Sequence, residues 1–372
     1  MSPRIAIFTH STNPRGGVVH AMQLAEALCR QGVDATLIAP ALSGQYFFRE
    51  PSCPSLLIPA APALSTVEMV ESRIGEIETA LRGQRFDIHH AQDPISANAL
   101  ANLRAEGAIP GFIRTVHHLD DFADARLAAW QDRGWHTADR LLTVSLLWQE
   151  KLCALSGQHV HLTGNGVDHQ RFSPGEKAQT GQKTFLSLGG IEERKNTIGV
   201  LRAFLQVHAL RPDTRLVIAG GASLLNHSAA HGAFASVLRD ATPEAQAAVQ
   251  VLGVVDDDAM PALYRSAHTL VAPAFMEGFG LCPLEAMSCG IPAIVSSIRP
   301  FTDHLAAHEA LWADPADPSS IAAAMARSLN DAERARLSHL GPQTAARFSW
   351  DKVAEDHRAL YETFAEECLA DA

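Results

Sequence analysis

Two cations stand side by side in the segment Gly-Gly-Ile-Glu-Glu-Arg-Lys-Asn at residues 189–196, directly after an apolar, strand-like run. A helix-like pattern follows, so Arg194 and Lys195 lie at a predicted helix N-terminus, where the positive end of the helix dipole disfavours cations. Binding of an anion would remove that cost, and Gly189 and Gly190 would let the backbone approach it closely. A phosphate-bearing ligand explains this segment better than a solvated surface does.

Two carboxylates flank a second glycine-rich segment, Phe-Met-Glu-Gly-Phe-Gly-Leu-Cys-Pro-Leu-Glu-Ala at residues 275–286. Pro283 is suited to be the first residue of a helix, which leaves residues 278–282 as an exposed loop whose amides would point at a ligand. Glu277 then lies in the loop that leaves a strand, and Glu285 lies in the first helical turn. Stabilisation of the helix dipole is a sufficient explanation of Glu285 taken alone.

A third segment, Pro-Arg-Gly-Gly at residues 14–17, follows the apolar run 5–8 and precedes an amphipathic helix pattern. Gly16 and Gly17 would let a ligand approach the backbone at the helix N-terminus, although a simple tight turn explains them as well. All three segments follow a predicted strand and precede a predicted helix. Open parallel sheets bind their ligands at such positions.

Acidic runs at residues 256–258 and 120–124 match a metal-binding Asp-x-Asp pattern. The first run immediately precedes a helix pattern that starts at Ala259, so helix capping explains it better than a metal does. The histidines show no paired spacing typical of zinc ligands. We therefore expect no catalytic metal and no other cofactor.

Short strand-like runs alternate with amphipathic helices along the whole chain, which predicts parallel sheets joined by right-handed crossovers. A chain of 372 residues suits two such domains. Residues 173–183 are polar and turn-rich, and the pattern restarts after them. The prediction is an N-terminal domain over 1–172, a linker over 173–183, a C-terminal domain over 184–349 and a last helix within 350–372. The fold class is α/β with two Rossmann-like domains.

The composition excludes several classes of protein. The formal net charge is -11, which leaves no basic footprint for binding nucleic acid, and no Lys/Arg-rich amphipathic helix is present for docking on anionic lipid. The six cysteines are scattered without zinc or redox spacing, as in reducing compartments. Neither a signal-peptide pattern nor an apolar run of membrane-span length is found. We expect a cytoplasmic protein without membrane insertion.

The pair Glu277 and Glu285 around Gly-Phe-Gly resembles the signature of the retaining enzymes of glycosyltransferase family 4. Segments at 16–17, 165–168, 194–196 and 252–267 also resemble that family, in the same order and over nearly the whole chain. The resemblance implies the GT-B fold, in which two Rossmann-like domains with parallel sheets face each other across a cleft. The N-terminal domain would bind the acceptor and the C-terminal domain the donor, and the last helix would cross back to the first domain.

The resemblance implies an activity as well. It implies transfer of a sugar, expected to be a hexose, from a nucleoside-diphosphate sugar to a hydroxyl-bearing acceptor, with retention of the anomeric configuration. Arg194 and Lys195 would neutralise the diphosphate in place of a metal, and Glu277 would hold the donor sugar. Glu285 would bind the ribose hydroxyls. His117 aligns with the family's histidine, and the adjacent His118 is a second candidate for that position.

The expected catalytic residues are His117, Arg194, Lys195 and Glu277. The expected substrate-binding residues are Gly16, Gly17, Asn165, Gly189, Gly190, Gly220, Val254, Val255, Gly278, Phe279, Gly280, Leu281 and Glu285, with the base near the two valines.

Two other functions are compatible with the pattern of strands and helices. A nicotinamide-dependent oxidoreductase is disfavoured because no Gly-x-Gly-x-x-Gly follows the first strand of either half. A sugar-binding or regulatory protein that kept the fold and lost catalysis is not excluded by fold alone. The complete set of cations and glutamates favours an active enzyme.

Overall fold

The computed structural model describes residues 3–176, 181–221 and 227–370, and the chain divides into two compact units. The first unit comprises Met1–Gly166 and Ser349–Ala372, and the second comprises Val167–Phe348. The division falls before the predicted linker at 173–183, of which residues 177–180 lie outside the described residues. The boundary falls before the predicted linker because His169 and Phe172 contact the rest of the second unit. The Ser288 hydroxyl lies 3.0 Å from Nδ1 of His169 and donates to the Phe172 carbonyl at 2.5 Å.

The first unit is built on a parallel sheet in the order β3-β2-β1-β4-β5-β6-β7. Its described strands are β1 (Ile5–Phe8), β2 (Ala35–Ala41), β3 (Ser55–Pro59), β4 (Ile88–Ala91), β5 (Ile113–Val116), β6 (Arg140–Thr143) and β7 (Val160–Leu162). Its helices are α1 (Gly16–Arg30), α2 (Thr66–Leu81), α3 (Pro94–Ala105), α4 (Ala125–His136), α5 (Leu146–Ser156) and α14 (Trp350–Ala370).

The second unit has a parallel sheet in the order β10-β9-β8-β11-β12-β13. Its described strands are β8 (Lys183–Leu188), β9 (Thr214–Ala219), β10 (Val249–Gly253), β11 (Thr269–Ala272), β12 (Ala293–Ser296) and β13 (Leu311–Ala313). Its helices are α6 (Thr197–Leu210), α7 (Ser228–Arg239), α8 (Pro243–Ala247), α9 (Met260–Ser266), α10 (Leu281–Ser288), α11 (Phe301–His304), α12 (Pro318–Ser328) and α13 (Asp331–Ala345). The prediction of two α/β domains with parallel sheets is confirmed.

The first sheet is covered on both faces, which explains why its strands are continuous apolar runs rather than alternating ones. Helices α2, α3 and α4 bury side chains such as Ile74, Leu100 and Trp135 on one face. Helices α1 and α14 cover the other face, where Met22 of α1 and Tyr361 of α14 belong to one buried cluster. The C-terminal helix is thus part of the first unit, although the whole second unit precedes it in the sequence.

Strand order reverses at the centre of each sheet, between β1 and β4 in the first unit and between β8 and β11 in the second. Loops that leave the carboxyl ends of neighbouring strands at such a reversal diverge and leave a crevice for a ligand. The loops after β1 and β4 therefore define one candidate site. The loops after β8 and β11 define another.

Candidate active site

The second unit brings Arg194, Lys195 and Glu277 together at the strand-order reversal. Lys195 Nζ donates to Glu277 Oε1, and Arg194 Nη1 lies 3.7 Å from Glu277 Oε2. The side chains of the cations are about one-fifth exposed, at 21% for Arg194 and 20% for Lys195, and that of Glu277 is 14% exposed. Arg194 Nε also lies 3.4 Å from Oε1 of the buried Glu192. Two cations and two carboxylates therefore form a partly enclosed cluster in which each cation is held by a carboxylate.

The two loops that carry this cluster are tied to each other by hydrogen bonds. The Phe275 N–H donates to the Arg194 carbonyl at 2.9 Å, and Asn196 Nδ2 donates to the Pro273 carbonyl at 3.0 Å and to the Pro315 carbonyl at 2.7 Å. Asn196 caps the start of α6 in a left-handed conformation with φ 59°. Asparagine tolerates that conformation better than most residues do, so this buried side chain fixes the position of the cations.

Glycines allow the backbone of this loop to pack against its neighbour. Gly190 and Gly220 both have positive φ, at 74° and 118°. A Cβ atom on Gly190 would lie 2.9 Å from the Gly220 carbonyl oxygen, and one on Gly220 would lie 2.8 Å from the Gly190 nitrogen. Gly189, at φ 109°, has no room for a side chain beside Lys195. These three predicted site residues thus form one close-packed backbone patch.

The start of α10 differs from the prediction. The helix begins at Leu281, because Gly280 adopts φ 96° as its N-cap, and Phe301 fills the space where a side chain on Gly280 would lie. Pro283 is therefore the third helical residue rather than the first. Glu285 lies beyond the first turn, which contains no acidic residue. The explanation of Glu285 by the helix dipole loses most of its force, since that effect decays within one turn.

Glu285 instead receives a hydrogen bond from a buried tyrosine. The Tyr264 hydroxyl donates to Glu285 Oε2 at 2.5 Å, and Tyr264 is fully buried. Loss of hydration raises the pKa of Glu285 from 4.5 to about 7, and the tyrosine hydrogen bond acts in the opposite direction. Tyr264 therefore orients one oxygen of the Glu285 carboxylate. No local sequence pattern predicts that Tyr264 orients Glu285.

The segment expected near the nucleotide base contains an exposed apolar side chain. Val254 is 71% exposed, and it follows β10 at the edge of the sheet. A Cβ atom on the neighbouring Gly221 would lie 2.7 Å from Val254 Cγ2, and the Gly220 N–H donates to the Gly253 carbonyl at 2.6 Å. Val255 is half-buried. Val254 thus offers an apolar surface next to the glycine patch.

The first acidic run is held by capping and by an ion pair. Asp256 Oδ1 accepts from the Asp258 N–H at 3.3 Å and caps a single 3-10 turn over Asp257–Ala259. Asp257 pairs with Arg171. Among residues 3–176, 181–221 and 227–370, no group of three or more His, Cys, Asp or Glu side chains is arranged to hold a metal ion.

In the first unit, His117 lies directly after β5 and contacts the start of α1 and the loop after β4. A Cβ atom on Gly17 would lie 3.4 Å from His117 Cδ2, at van der Waals contact, so the backbone of α1 packs closely against this ring. Gly16 and Gly17 are the first two residues of α1 rather than part of the preceding turn. His118, in contrast, lies 3.4 Å from Asp120 Oδ1. Of the two histidines, His117 is thus the one that packs against Gly17 and Gln92.

A hydrogen-bond chain runs from His117 to the C-terminal helix. His117 Nε2 lies 2.9 Å from Gln92 Oε1, Gln92 Nε2 lies 3.1 Å from His90 Nε2, and His90 Nδ1 lies 2.7 Å from the Tyr361 hydroxyl. An amide oxygen only accepts, so His117 donates from Nε2 and carries its lone pair on Nδ1. Burial and the nearby His20 hold the pKa of His117 well below 6.5, and the ring is therefore neutral.

Asn165 is connected to the surroundings of His117 by a hydrogen bond with His20. Its Oδ1 lies 3.0 Å from His20 Nδ1, and the His20 ring meets the His117 ring edge-on at 4.9 Å. Burial lowers the pKa of His20 to about 3, and its Nε2 is buried without a hydrogen-bond partner in the described structure. Neither His20 nor Gln92 was among the predicted site residues. Their spacing from His117 in the sequence gives no local signal.

Two protein families match consecutive segments of this chain. Residues 14–171 match the family described as Glycosyltransferase Family 4, and residues 168–343 match the family described as Glycosyl transferases group 1. The chain belongs to this glycosyltransferase family. Its fold is GT-B, as the sequence resemblance implied.

Two relatives of this glycosyltransferase match nearly end to end. An uncharacterized glycosyltransferase of Methanocaldococcus jannaschii is 26% identical and covers 96% of this chain and 97% of the relative. A phosphatidyl-myo-inositol mannosyltransferase of Mycobacterium leprae is 27% identical, with 96% of each chain covered.

Solved structures show the same fold at low sequence identity. A sucrose-phosphate synthase from Thermosynechococcus elongatus superposes with a TM-score of 0.79 at 19% identity, covering 97% of this chain and 99% of the other. Anabaena HepE in complex with UDP-glucose gives a TM-score of 0.76 at 14% identity, with 100% of both chains covered. Within the described residues of this glycosyltransferase, no helix is both long and apolar enough to cross a membrane.

If Glu285 binds the ribose hydroxyls, as the resemblance implies, the nucleotide affinity of this glycosyltransferase should rise with pH through about 7. A carboxylate accepts hydroxyls better than a carboxylic acid does, and the pKa of Glu285 is raised to about 7. The phosphate of the ligand also titrates in this range. The Glu285→Gln variant is therefore the control, because its affinity changes with pH only through the titration of the ligand. Calorimetric titration with the nucleoside diphosphate at about pH 6 and about pH 8 should show a larger gain for the wild type. Equal gains in both proteins would contradict the assignment of Glu285.

The same pKa shift affects folding in the free protein. The folded state binds the Glu285 proton more tightly than the unfolded state, whose pKa is 4.5. The contribution of this group to stability is therefore fully present below that pH and is lost as the pH rises toward 7.

Proposed function

We propose that this chain transfers a hexosyl group from a nucleoside-diphosphate sugar to a hydroxyl group of an acceptor, with retention of the anomeric configuration and without a metal ion or other cofactor. The observation that carries the proposal is the cluster of Arg194, Lys195 and Glu277 at the strand-order reversal of the second unit. Two cations held in a partly enclosed crevice, beside backbone that only glycines permit, suit a diphosphate.

The diphosphate would compete with Glu277 for the two cations. In the free protein Lys195 Nζ donates to Glu277 Oε1, and that hydrogen bond is the one a phosphate oxygen replaces. The released carboxylate then accepts a hydroxyl of the donor sugar. During transfer the leaving diphosphate gains negative charge, which Arg194 and Lys195 stabilise in the way a metal ion does in other transferases.

The nucleoside would lie on the other side of the glycine patch. Glu285, oriented by Tyr264, accepts the ribose hydroxyls, and Val254 contacts the base. The Val254 side chain is apolar and 71% exposed, so its coverage by a flat base lowers the free energy of the complex.

The acceptor and the neighbouring part of the substrate would contact the first unit. His117, with its proton on Nε2 held by Gln92, offers Nδ1 as an acceptor for a substrate hydroxyl. The backbone of α1 at Gly17 packs closely against that ring. Because the ring is neutral, it orients a hydroxyl without adding charge.

The relatives support the donor class and the hexosyl group. One is a mannosyltransferase by name, and a structure of the same fold holds UDP-glucose. Both sugars are hexoses, although the two proteins differ in what they act on. Nucleic acid is not expected as a partner, since the formal net charge is -11.

Retention is expected to proceed by attack on the same face that the phosphate leaves. The bond between the anomeric carbon and the phosphate oxygen breaks as the acceptor oxygen bonds to that carbon, and the acceptor proton passes to the departing phosphate. Glu277 is held beside the two cations, where it would contact a donor-sugar hydroxyl, so we do not assign it as a nucleophile for double displacement.

An α-linked donor should therefore give an α-linked product. Proton NMR of the anomeric region, recorded early in the reaction before mutarotation or reversal, reads the configuration directly. A β-linked product would contradict the retaining mechanism while leaving the donor assignment intact.

The donor class is tested by thermal shift with UDP-, GDP- and ADP-sugars, because a ligand that binds only the folded state raises its melting temperature. At a concentration about a hundredfold above Kd, the expected stabilisation is about 2.7 kcal/mol. One base should give this shift, and Glu285→Gln should reduce it. No shift with any of these donors would contradict the proposal.

A further inference from the structure

Two cysteines of the first unit lie beside each other and take no part in the site described above. Cys29 is in the last turn of α1, and Cys53 lies shortly before β3. Both are half-buried free thiols, and both pack against the apolar cluster beneath α1 and α14.

A network around Glu26 fixes the segment of Cys53 against α1. Glu26 is buried, accepts hydrogen bonds from Arg49 Nη1 and Nη2 at 2.6 Å and 2.7 Å, and accepts the Ser52 N–H at 2.8 Å. Cys29 lies three residues after Glu26, on the same face of the helix, and Cys53 directly follows Ser52. The two cysteines therefore lie close together beneath α1, where both pack against the same apolar cluster.

The backbone on both sides of the pair is also held. Cys29 Sγ donates to the Ala35 carbonyl at 3.3 Å, at the start of β2. The Pro54 carbonyl, next to Cys53, accepts the Leu37 N–H at 2.9 Å. The register of β2 and β3 pairs Leu37 with Ser55, which places Cys53 opposite Ala35 and so beside the Cys29 thiol.

The neighbouring Cys53 thiol also makes Cys29 the more reactive of the two. It holds the pKa of Cys29 below its usual value of 9.0, because it stabilises the Cys29 thiolate. A thiolate fraction near neutral pH is what peroxides and disulfides react with.

We propose that Cys29 and Cys53 are a redox-active dithiol, which a peroxide converts to an intramolecular disulfide. The Cys29 thiolate attacks one peroxide oxygen, the O–O bond breaks, and a sulfenic acid and hydroxide form. The Cys53 sulfur then attacks the sulfenic sulfur, the S–S bond forms, the S–O bond breaks and water leaves. The two thiols together lose two electrons, which the peroxide gains.

The disulfide would restrain a segment that contacts the loop after β1. It closes the chain between residues 29 and 53, which includes β2 and the segment that follows it. The Phe48 N–H of that segment donates to the Thr12 carbonyl at 2.9 Å, shortly before Gly16 and Gly17. Oxidation therefore tightens this part of the first unit. The inference stands whether or not the proposed function is correct.

Treatment of the full-length protein with hydrogen peroxide tests the proposal. Intact mass should fall by two hydrogen atoms, dithiothreitol should reverse the loss, and peptide mapping should recover a Cys29–Cys53 cross-link. The oxidised protein should melt about 2–4 °C higher, because the cross-link reduces the entropy of the unfolded chain. Cys153→Ser, which removes a half-buried thiol on α5, should behave as the wild type does.

Single variants distinguish the two thiols. Cys53→Ser should stop at a Cys29 sulfenic acid that dimedone labels, and Cys29→Ser should show little labelling at Cys53. Circular dichroism and melting of the reduced variants verify that they fold. Three outcomes would each overturn the proposal. They are a wild type that does not react, a cross-link to another cysteine, and overoxidation of Cys29 in the wild type without a disulfide.

Discussion

Lys195→Ala should lower the turnover rate about a hundredfold or more, because it removes a charge that stabilises the departing diphosphate. Lys195 Nζ contacts Glu277 in the free protein, and its side chain is 20% exposed. The loss should appear mainly in kcat, since charge on the diphosphate is largest in the transition state. Steady-state rates with a saturating donor measure it.

A matched lysine in the same unit provides the control. Lys183 is at the start of β8, at the opposite end of that strand from the cluster, and lies 3.9 Å from Asp213. Lys183→Ala should leave turnover within about twofold of the wild type, as expected for a weak surface pair. If both variants lost activity equally, or neither did, the assignment of Lys195 to the diphosphate would fail.

Glu277→Gln should lower turnover about a hundredfold while the affinity for the free nucleoside diphosphate changes little or increases. The carboxylate lies beside both cations and would support positive charge on the donor sugar as its bond to phosphate breaks. A neutral amide keeps the shape of the side chain and removes the charge. It also competes less with the diphosphate for Lys195.

Glu193→Gln is the control for this second prediction. Glu193 is exposed and lies in the same loop as the two cations, so it tests whether any loss of negative charge there has the same effect. Calorimetric titration separates binding from turnover. A parallel loss of affinity and turnover in Glu277→Gln would indicate that Glu277 holds the loop together and has no particular interaction with the transition state.

Local rules in the sequence were sufficient for the architecture. Short apolar runs, turn-rich loops and helix periodicity predicted parallel sheets, and the order of the loops placed Arg194 and Glu277 at the carboxyl ends of β8 and β11. These rules were insufficient for the start of α10. The ring of Phe301, twenty-one positions later in the chain, fills the space beside Gly280, and no sequence window around Gly280 contains it.

The contacts around His117 were not predictable for the same reason. Gln92 reaches it from the loop after β4, and the chain of hydrogen bonds ends at Tyr361, 271 positions from His90. Histidine is compatible with a buried site or a solvated surface, and only the tertiary contacts decide between them. Tyr264 acts on Glu285 from 21 positions away in the same manner.

The most direct test of metal-independent transfer is the release of nucleoside diphosphate from UDP-, GDP- and ADP-hexoses in the presence of excess EDTA. Water can replace the acceptor in a slow background hydrolysis, so the measurement does not require the acceptor to be known. At least one donor should release its diphosphate at a rate that EDTA leaves unchanged and that Lys195→Ala lowers about a hundredfold. The account would be contradicted if EDTA abolished the release and magnesium or manganese restored it. It would also be contradicted if no donor released its diphosphate faster with the wild type than with Lys195→Ala.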